Sequence, residues 1–94
     1  MRVVLFSIYD RKTKCFMSPF VARTEIDAVR QITQSLKDPQ MAETPVGQHP
    51  ADFDLRRIGD FDDETGQIVP LIPSHLVASL GELAPAGARS TVAS

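Results

Sequence analysis

The stretch HPADFDLRRIGDFDDETGQIV, residues 49–69, decides the fold. Phe53 and Leu55 alternate with Asp54 and Arg56, Ile58 and Phe61 carry the apolar signal on, and Ile68 and Val69 resume it after Asp62-Asp63-Glu64-Thr65-Gly66. Alternation at a period of two marks a strand with one buried face. The interruption has turn chemistry: an Asp side chain bonds its own backbone two residues on, and a glycine takes the left-handed conformation that a type I turn with a following bulge requires. The stretch therefore predicts a β-hairpin in which Gly66 resists replacement.

Composition sets the scale of what surrounds that hairpin. A chain of 94 residues that is 43% hydrophobic has apolar material for one small domain and too little for two cores. Chains of this size bury only about 60 to 65% of their unfolded surface, so a homodimer or higher homo-oligomer is an expected source of further stability. Cys15 is the single cysteine, which excludes an internal disulfide and fits a reducing compartment. The opening MRVVLFSIYD reaches Asp10 too soon for a signal-peptide core, and no apolar run approaches the ~20 residues of a membrane span. The expectation is a soluble cytoplasmic protein without a membrane partner. A net charge of −2 argues against a polyanion-binding surface over the whole molecule and leaves room for a local basic patch.

From the start of the chain, Val3, Val4, Leu5, Phe6 and Ile8 form a run that is apolar on both alternating faces, as in a central strand covered on both sides. Residues 10–14 turn the chain into a second strand at Cys15-Phe16-Met17, which Ser18-Pro19 confines to an edge or ends, and Phe20 and Val21 lead into a helix. Thr24 is the expected N-cap, with Glu25 and Asp27 in the first turn. Ile26, Val29, Ile32 and Leu36, with Ala28 close by, draw one apolar stripe down a helix from Thr24 to Lys37, and Asp38-Pro39 stops it. Gln40 to Pro50 reads as a long loop. Beyond the second hairpin, Pro70 and Pro73 argue against a long central strand, and Ser74 is a candidate cap for a short helix through His75, Leu76, Val77, Leu80 and Leu83, weakened by Gly81. The expected fold class is α+β: one domain over residues 1–83 in the order ββαββ, a four-stranded antiparallel sheet with one main helix, and a disordered tail over residues 84–94. One helix covers one face of such a sheet. The other face must be covered either by the Leu76 to Leu83 segment folding back or by a second subunit.

FSIYDRKT at residues 6–13, Pro19-Phe20, and the HPADFDLRRIGDFDDETGQI hairpin occur in an order and at distances that resemble the small nonstructural protein of gokushovirus-type microviruses, bacterial viruses with circular single-stranded DNA genomes. The likeness covers about three quarters of the chain and fades in the tail. It implies a DNA-binding phage protein in the host bacterial cytoplasm, one that helps commit new viral single strands to packaging rather than further replication.

The residues that would carry such a role are few. Arg11, Lys12 and Lys14 lie on the first turn and Arg56-Arg57 in the second hairpin. Phosphate contacts need positive charge but no particular sequence, so these five, together with Arg2, are candidate single-stranded DNA contacts if the fold gathers them on one face. Charge runs are more often plain solvated surface. Phe6, Tyr9, Phe16, Phe20, Phe53 and Phe61 include the candidates for a base-stacking platform; most are better read as core, and Tyr9, at a strand end beside the basic turn, is the best exception and the candidate stacking ring. Asp60, Asp62, Asp63 and Glu64 lack EF-hand spacing and are read as turn residues, His49 and His75 lack partners at ligand spacing, and Cys15 is read as a small packing residue. No metal, cofactor or catalytic machinery is expected. The alternative function is a protein-interaction adaptor that binds a viral or host replication or assembly protein without touching DNA.

Overall fold

The structure is a computed structural model, and it describes residues 2–84. Strand β1, Arg2–Asp10, pairs antiparallel with β4, Phe53–Asp62, which pairs with β5, Ile68–Ser79. On its other side β1 meets two short strands, β2 at Cys15–Phe16 and β3 at Phe20–Ala22. The sheet thus has five strands rather than four, all antiparallel. The extra strand comes from Phe20 and Val21, which pair with Phe6 and Leu5 before the helix begins. Pro19 has no N–H to give the ladder, so one row is broken into two segments rather than ended.

Helix α1, Glu25–Leu36, starts where the capping chemistry places it: the Asp27 N–H donates to Thr24 Oγ1 at 3.1 Å. Ala28 is fully buried, and Val29, Ile32 and Leu36 pack on the core beside it. Ile26, expected on that stripe, is instead 72% exposed. At about 100° per residue it lies some 160° around the helix from Ala28, on the far side of the buried arc.

The segment expected to be a loop is a chain of short helical turns: a 3-10 turn at Pro39–Glu43, helix α2 at Pro45–Gln48, and a 3-10 turn at Pro50–Asp52. Each opens on a proline, whose missing N–H is one of the donors a helix leaves unpaired at that position. Asp38 and Thr44 cap the first two by accepting from the Gln40 and Gly47 N–H groups. Val46 joins the core.

The hairpin of residues 49–69 forms as expected, its turn closed by Gly66 N–H donating to the Asp62 carbonyl at 2.8 Å, with Gly66 at φ 77°. Strand β5 then runs longer than its prolines suggest. It covers twelve residues, as an edge strand, and its register breaks between Arg57–His75 and Gly59–Pro70, so that Leu71 to Ser74 bulge out opposite Ile58. Proline is tolerated at such an edge because no ladder partner waits for its N–H. The helix expected from Ser74 is therefore strand as far as Ser79. Ser79, not Ser74, caps a short helix α3, Leu80–Leu83. Leu80 is fully buried and Ala84 nearly so, which takes Ala84 out of the expected tail; the rest of that expectation lies outside the described residues.

Cross-strand pairs share a face, and that assigns the two sides of the sheet. Phe6, Ile8 and Leu55 lie on the side of α1 and α3, where Phe6 stacks on Phe20 at 5.9 Å and the core cluster forms. Val3, Leu5, Tyr9, Phe16 and Val21 lie on the other side. The Leu76 to Leu83 segment does not fold back over that second side, because its buried residue Leu80 belongs to the helix-side core.

Candidate nucleic-acid interface

Residues 11–14 join β1 to β2, and their turn is held from one end by Asp10. Its Oδ1 accepts from the Lys12 N–H at 2.9 Å and the Thr13 N–H at 3.3 Å, while the Lys14 N–H returns to the Asp10 carbonyl at 2.7 Å. Partial desolvation raises the pKa of this carboxyl, but the Lys12 and Thr13 hydrogen bonds together with the Lys12 charge outweigh it and hold the group below its ordinary value. Lys14 closes the turn in the left-handed region at φ 60°. Lys12 and Lys14 are exposed, and neither has an ion-pair partner among the described residues. Arg11 differs: its side chain is half exposed, and its Nε stands 3.6 Å from Asp54 Oδ2.

The turn length sets which residues face each other across the hairpin. Tyr9 pairs with Phe16, and their rings lie 4.8 Å apart at an angle of 51°. Phe16 is 49% exposed, so it is not one of the aromatics that form the core. On a strand of only two residues at the sheet edge, with Pro19 three positions on, no layer covers its ring. Tyr9, Phe16, Arg56 and Ser74 line one depression of about 350 Å³. Arg56 is fixed there by two hydrogen bonds to Ser74, Nε to Oγ at 2.7 Å and Nη2 to the carbonyl at 2.8 Å.

Arg57 goes elsewhere. Arg56 pairs with Ser7, and Arg57 with Phe6, so the two arginines stand on opposite faces of the sheet. The Arg57 guanidinium meets Asp60 Oδ1 at 2.9 Å and Glu25 Oε2 at 3.9 Å, and the same Glu25 oxygen lies 4.0 Å from His75 Nε2. That cation already has two carboxylates. The expected basic set is therefore divided: Arg11, Lys12, Lys14 and Arg56 gather around the Tyr9–Phe16 end of the sheet, and Arg57 ties strand β4 to helix α1.

Of the site residues, Phe16 is one that reading the sequence does not separate from the core aromatics, and Ser74 is one to which it assigns no site role. The signal for Phe16 is present, since a turn over residues 11–14 makes Asp10 and Cys15 partners and so places Phe16 opposite Tyr9. Ser74 has no such signal, because a bulge brings it to Arg56. Cys15, expected to be a packing residue, is exposed. No helix among the described residues is long and apolar enough to cross a membrane.

The arrangement amounts to two rings and a fixed guanidinium at a sheet end, with flexible cations on the adjoining turn. No curated protein and no solved structure matches this chain. The family model described as Phage ORF5 protein matches residues 3–83, which span both hairpins, the main helix and every residue of this site, and the chain therefore belongs to that family of phage proteins.

Proposed function

We propose that the protein binds single-stranded DNA at the Tyr9–Phe16 end of its sheet. The observation that carries this reading is the Tyr9–Phe16 ring pair, partly buried at Tyr9 and exposed at Phe16, beside Arg56 and the exposed Lys12 and Lys14. Single-strand binders combine rings that stack on bases with cations that follow the phosphates, and stacking contributes roughly 1 to 3 kcal/mol per base whatever the sequence. The likeness to microvirus nonstructural proteins supports a role in passing new viral single strands from replication to packaging. In such a role sequence-tolerant binding is what the task requires.

The test is fluorescence anisotropy of a labelled 30-nucleotide single strand, about two site lengths of known single-strand binders, at several salt concentrations. Each neutralised phosphate contributes a logarithmic salt slope of about −0.7, so two to four contacts predict a slope of roughly −1.4 to −2.8. Replacing Lys12 and Lys14 by alanine flattens the slope by about 1.4. Tyr9→Ala or Phe16→Ala weakens binding about 5- to 150-fold and leaves the slope unchanged. Arg57→Ala leaves the slope unchanged as well, because that cation is already paired. Absence of binding at low salt by folded protein would transfer the proposal to an adaptor that contacts a viral or host protein, a reading that the modest net charge of −2 also accommodates.

A further inference from the structure

The bulge of β5 presents Ile72 at 84% exposure, the highest among the large apolar side chains of the described residues. An isolated apolar residue at a surface needs no explanation, but this one is held out on a fixed support. Ser74, two residues on, receives both Arg56 hydrogen bonds, and prolines at 70 and 73 restrict the backbone on either side. Ile72 is a preorganised apolar knob.

The same chain carries an opening of matching chemistry. Between β2, helix α1 and the turns of residues 39–48 lies a cavity of about 440 Å³, walled by Ile32, Leu36, Met41, Val46, Phe53 and Leu80. Its rim holds one acidic residue, Asp10, and that carboxylate is already occupied by the Lys12 and Thr13 N–H groups. Nothing in the lining calls for a charged or strongly polar guest, and an uncharged branched side chain suits it. Phe16 borders this cavity and also the depression beneath the bulge. Knob and hole therefore belong to one continuous patch, which is the condition for two copies related by a twofold axis to exchange them.

Strand addition is the competing way for a sheet to associate, and both edges oppose it. The β5 edge carries Pro70, Pro73 and the bulge, and the other edge is broken at Ser18-Pro19. We propose that the protein forms a homodimer in which Ile72 of each copy enters the cavity between β2 and α1 of the other. Phe16, Arg56 and Ser74 serve both this inference and the nucleic-acid reading, so the test is placed on Ile72 and Cys15, which lie outside that interface.

Ile72 makes a clean test because its exposure means that substitution removes little internal packing. Sedimentation of the wild-type chain is expected to show a concentration-dependent dimer at micromolar protein, and Ile72→Asp is expected to raise its dissociation constant about 100-fold or more while leaving the circular dichroism unchanged. Cys15 gives a second readout, because it lies on the cavity rim and is exposed. Ile72→Cys with native Cys15 is expected to form a covalent dimer on mild oxidation, and Ile72→Cys combined with Cys15→Ser is expected not to. A wild-type monomer up to about 100 μM, well above the range where an interface of ordinary size associates, would overturn the proposal. So would a covalent dimer that persists without Cys15, since that would place the two knobs against each other rather than in the holes.

Discussion

Lys14 and Gly66 end the two hairpin turns, and both have left-handed backbones, at φ 60° and 77°. Each sends its N–H back to the carbonyl of an Asp four positions earlier, Asp10 or Asp62, so the two positions are equivalent in geometry and differ in chemistry. A side chain costs about 1 kcal/mol or more in that region, whereas glycine has no such penalty but is freer when unfolded. Opposite effects follow. Gly66→Ala is expected to destabilise by about 1 kcal/mol, a backbone effect alone because the added Cβ meets nothing within 4 Å. Lys14→Gly is expected to stabilise by about 0.5 kcal/mol while weakening DNA binding through the lost cation. Urea midpoints of the two variants against wild type check the pair. Gly66 is legible in the sequence because the DDETG context names its turn, and Lys14 is not, because lysine carries no preference for the conformation it adopts. The split of Arg56 from Arg57 is legible in principle: neighbours on a strand point to opposite faces, so adjacent arginines in a hairpin cannot serve one cluster.

The main helix and the second hairpin are the elements that periodicity finds, since both are long enough for their periods to repeat. The run from Pro39 to Asp52 is built of helices of three to five residues, each shorter than the span over which a 3.6-residue stripe can show. Its available signal is the spacing of Pro39, Pro45 and Pro50, each the first residue of its helix. Strand β5 is hidden for another reason: its bulge breaks the alternation, and its prolines are acceptable only because the strand is at an edge. The short helices nevertheless pack closely. A Cβ on Gly47 would collide with the Met41 carbonyl, a backbone atom that cannot swing aside. Gly47→Ala is expected to cost about 1 to 3 kcal/mol by forcing the 3-10 turn and α2 apart. A lowered thermal midpoint would accompany loosening at Val46, the core residue that α2 supplies, and hydrogen exchange of the amides at residues 44–48 would locate the change.

At the scale of the whole molecule the sheet is finished on one side and open on the other: the proposed dimer hole is walled by core residues of the helix side, whereas the proposed nucleic-acid contact lies on the open side. The open side is legible in a first strand apolar on both faces; what meets it is not, because the answer lies partly in other molecules. The two turns that bound the sheet share one dependence on ionised aspartate. Asp62 is held below its ordinary pKa first by the Glu64 N–H, against partial desolvation, and further by Thr65, and Asp10 is lowered by Lys12 and Thr13 in the same manner. A carboxyl whose pKa is lower folded than unfolded binds its proton more readily in the unfolded chain, so ionisation favours folding. That contribution is complete above the unfolded value of 3.8 and disappears as pH falls through the lowered folded values. These two groups are therefore expected to leave the urea midpoint unchanged from about pH 7 to pH 5 and to lower it below about pH 4. Asp10→Asn with Asp62→Asn keeps an oxygen that can accept the turn hydrogen bonds but removes both charges. This double variant should start less stable at neutral pH and show a shallower acid loss, and a loss below pH 4 as steep as that of the wild type would assign the acid response to other carboxylates.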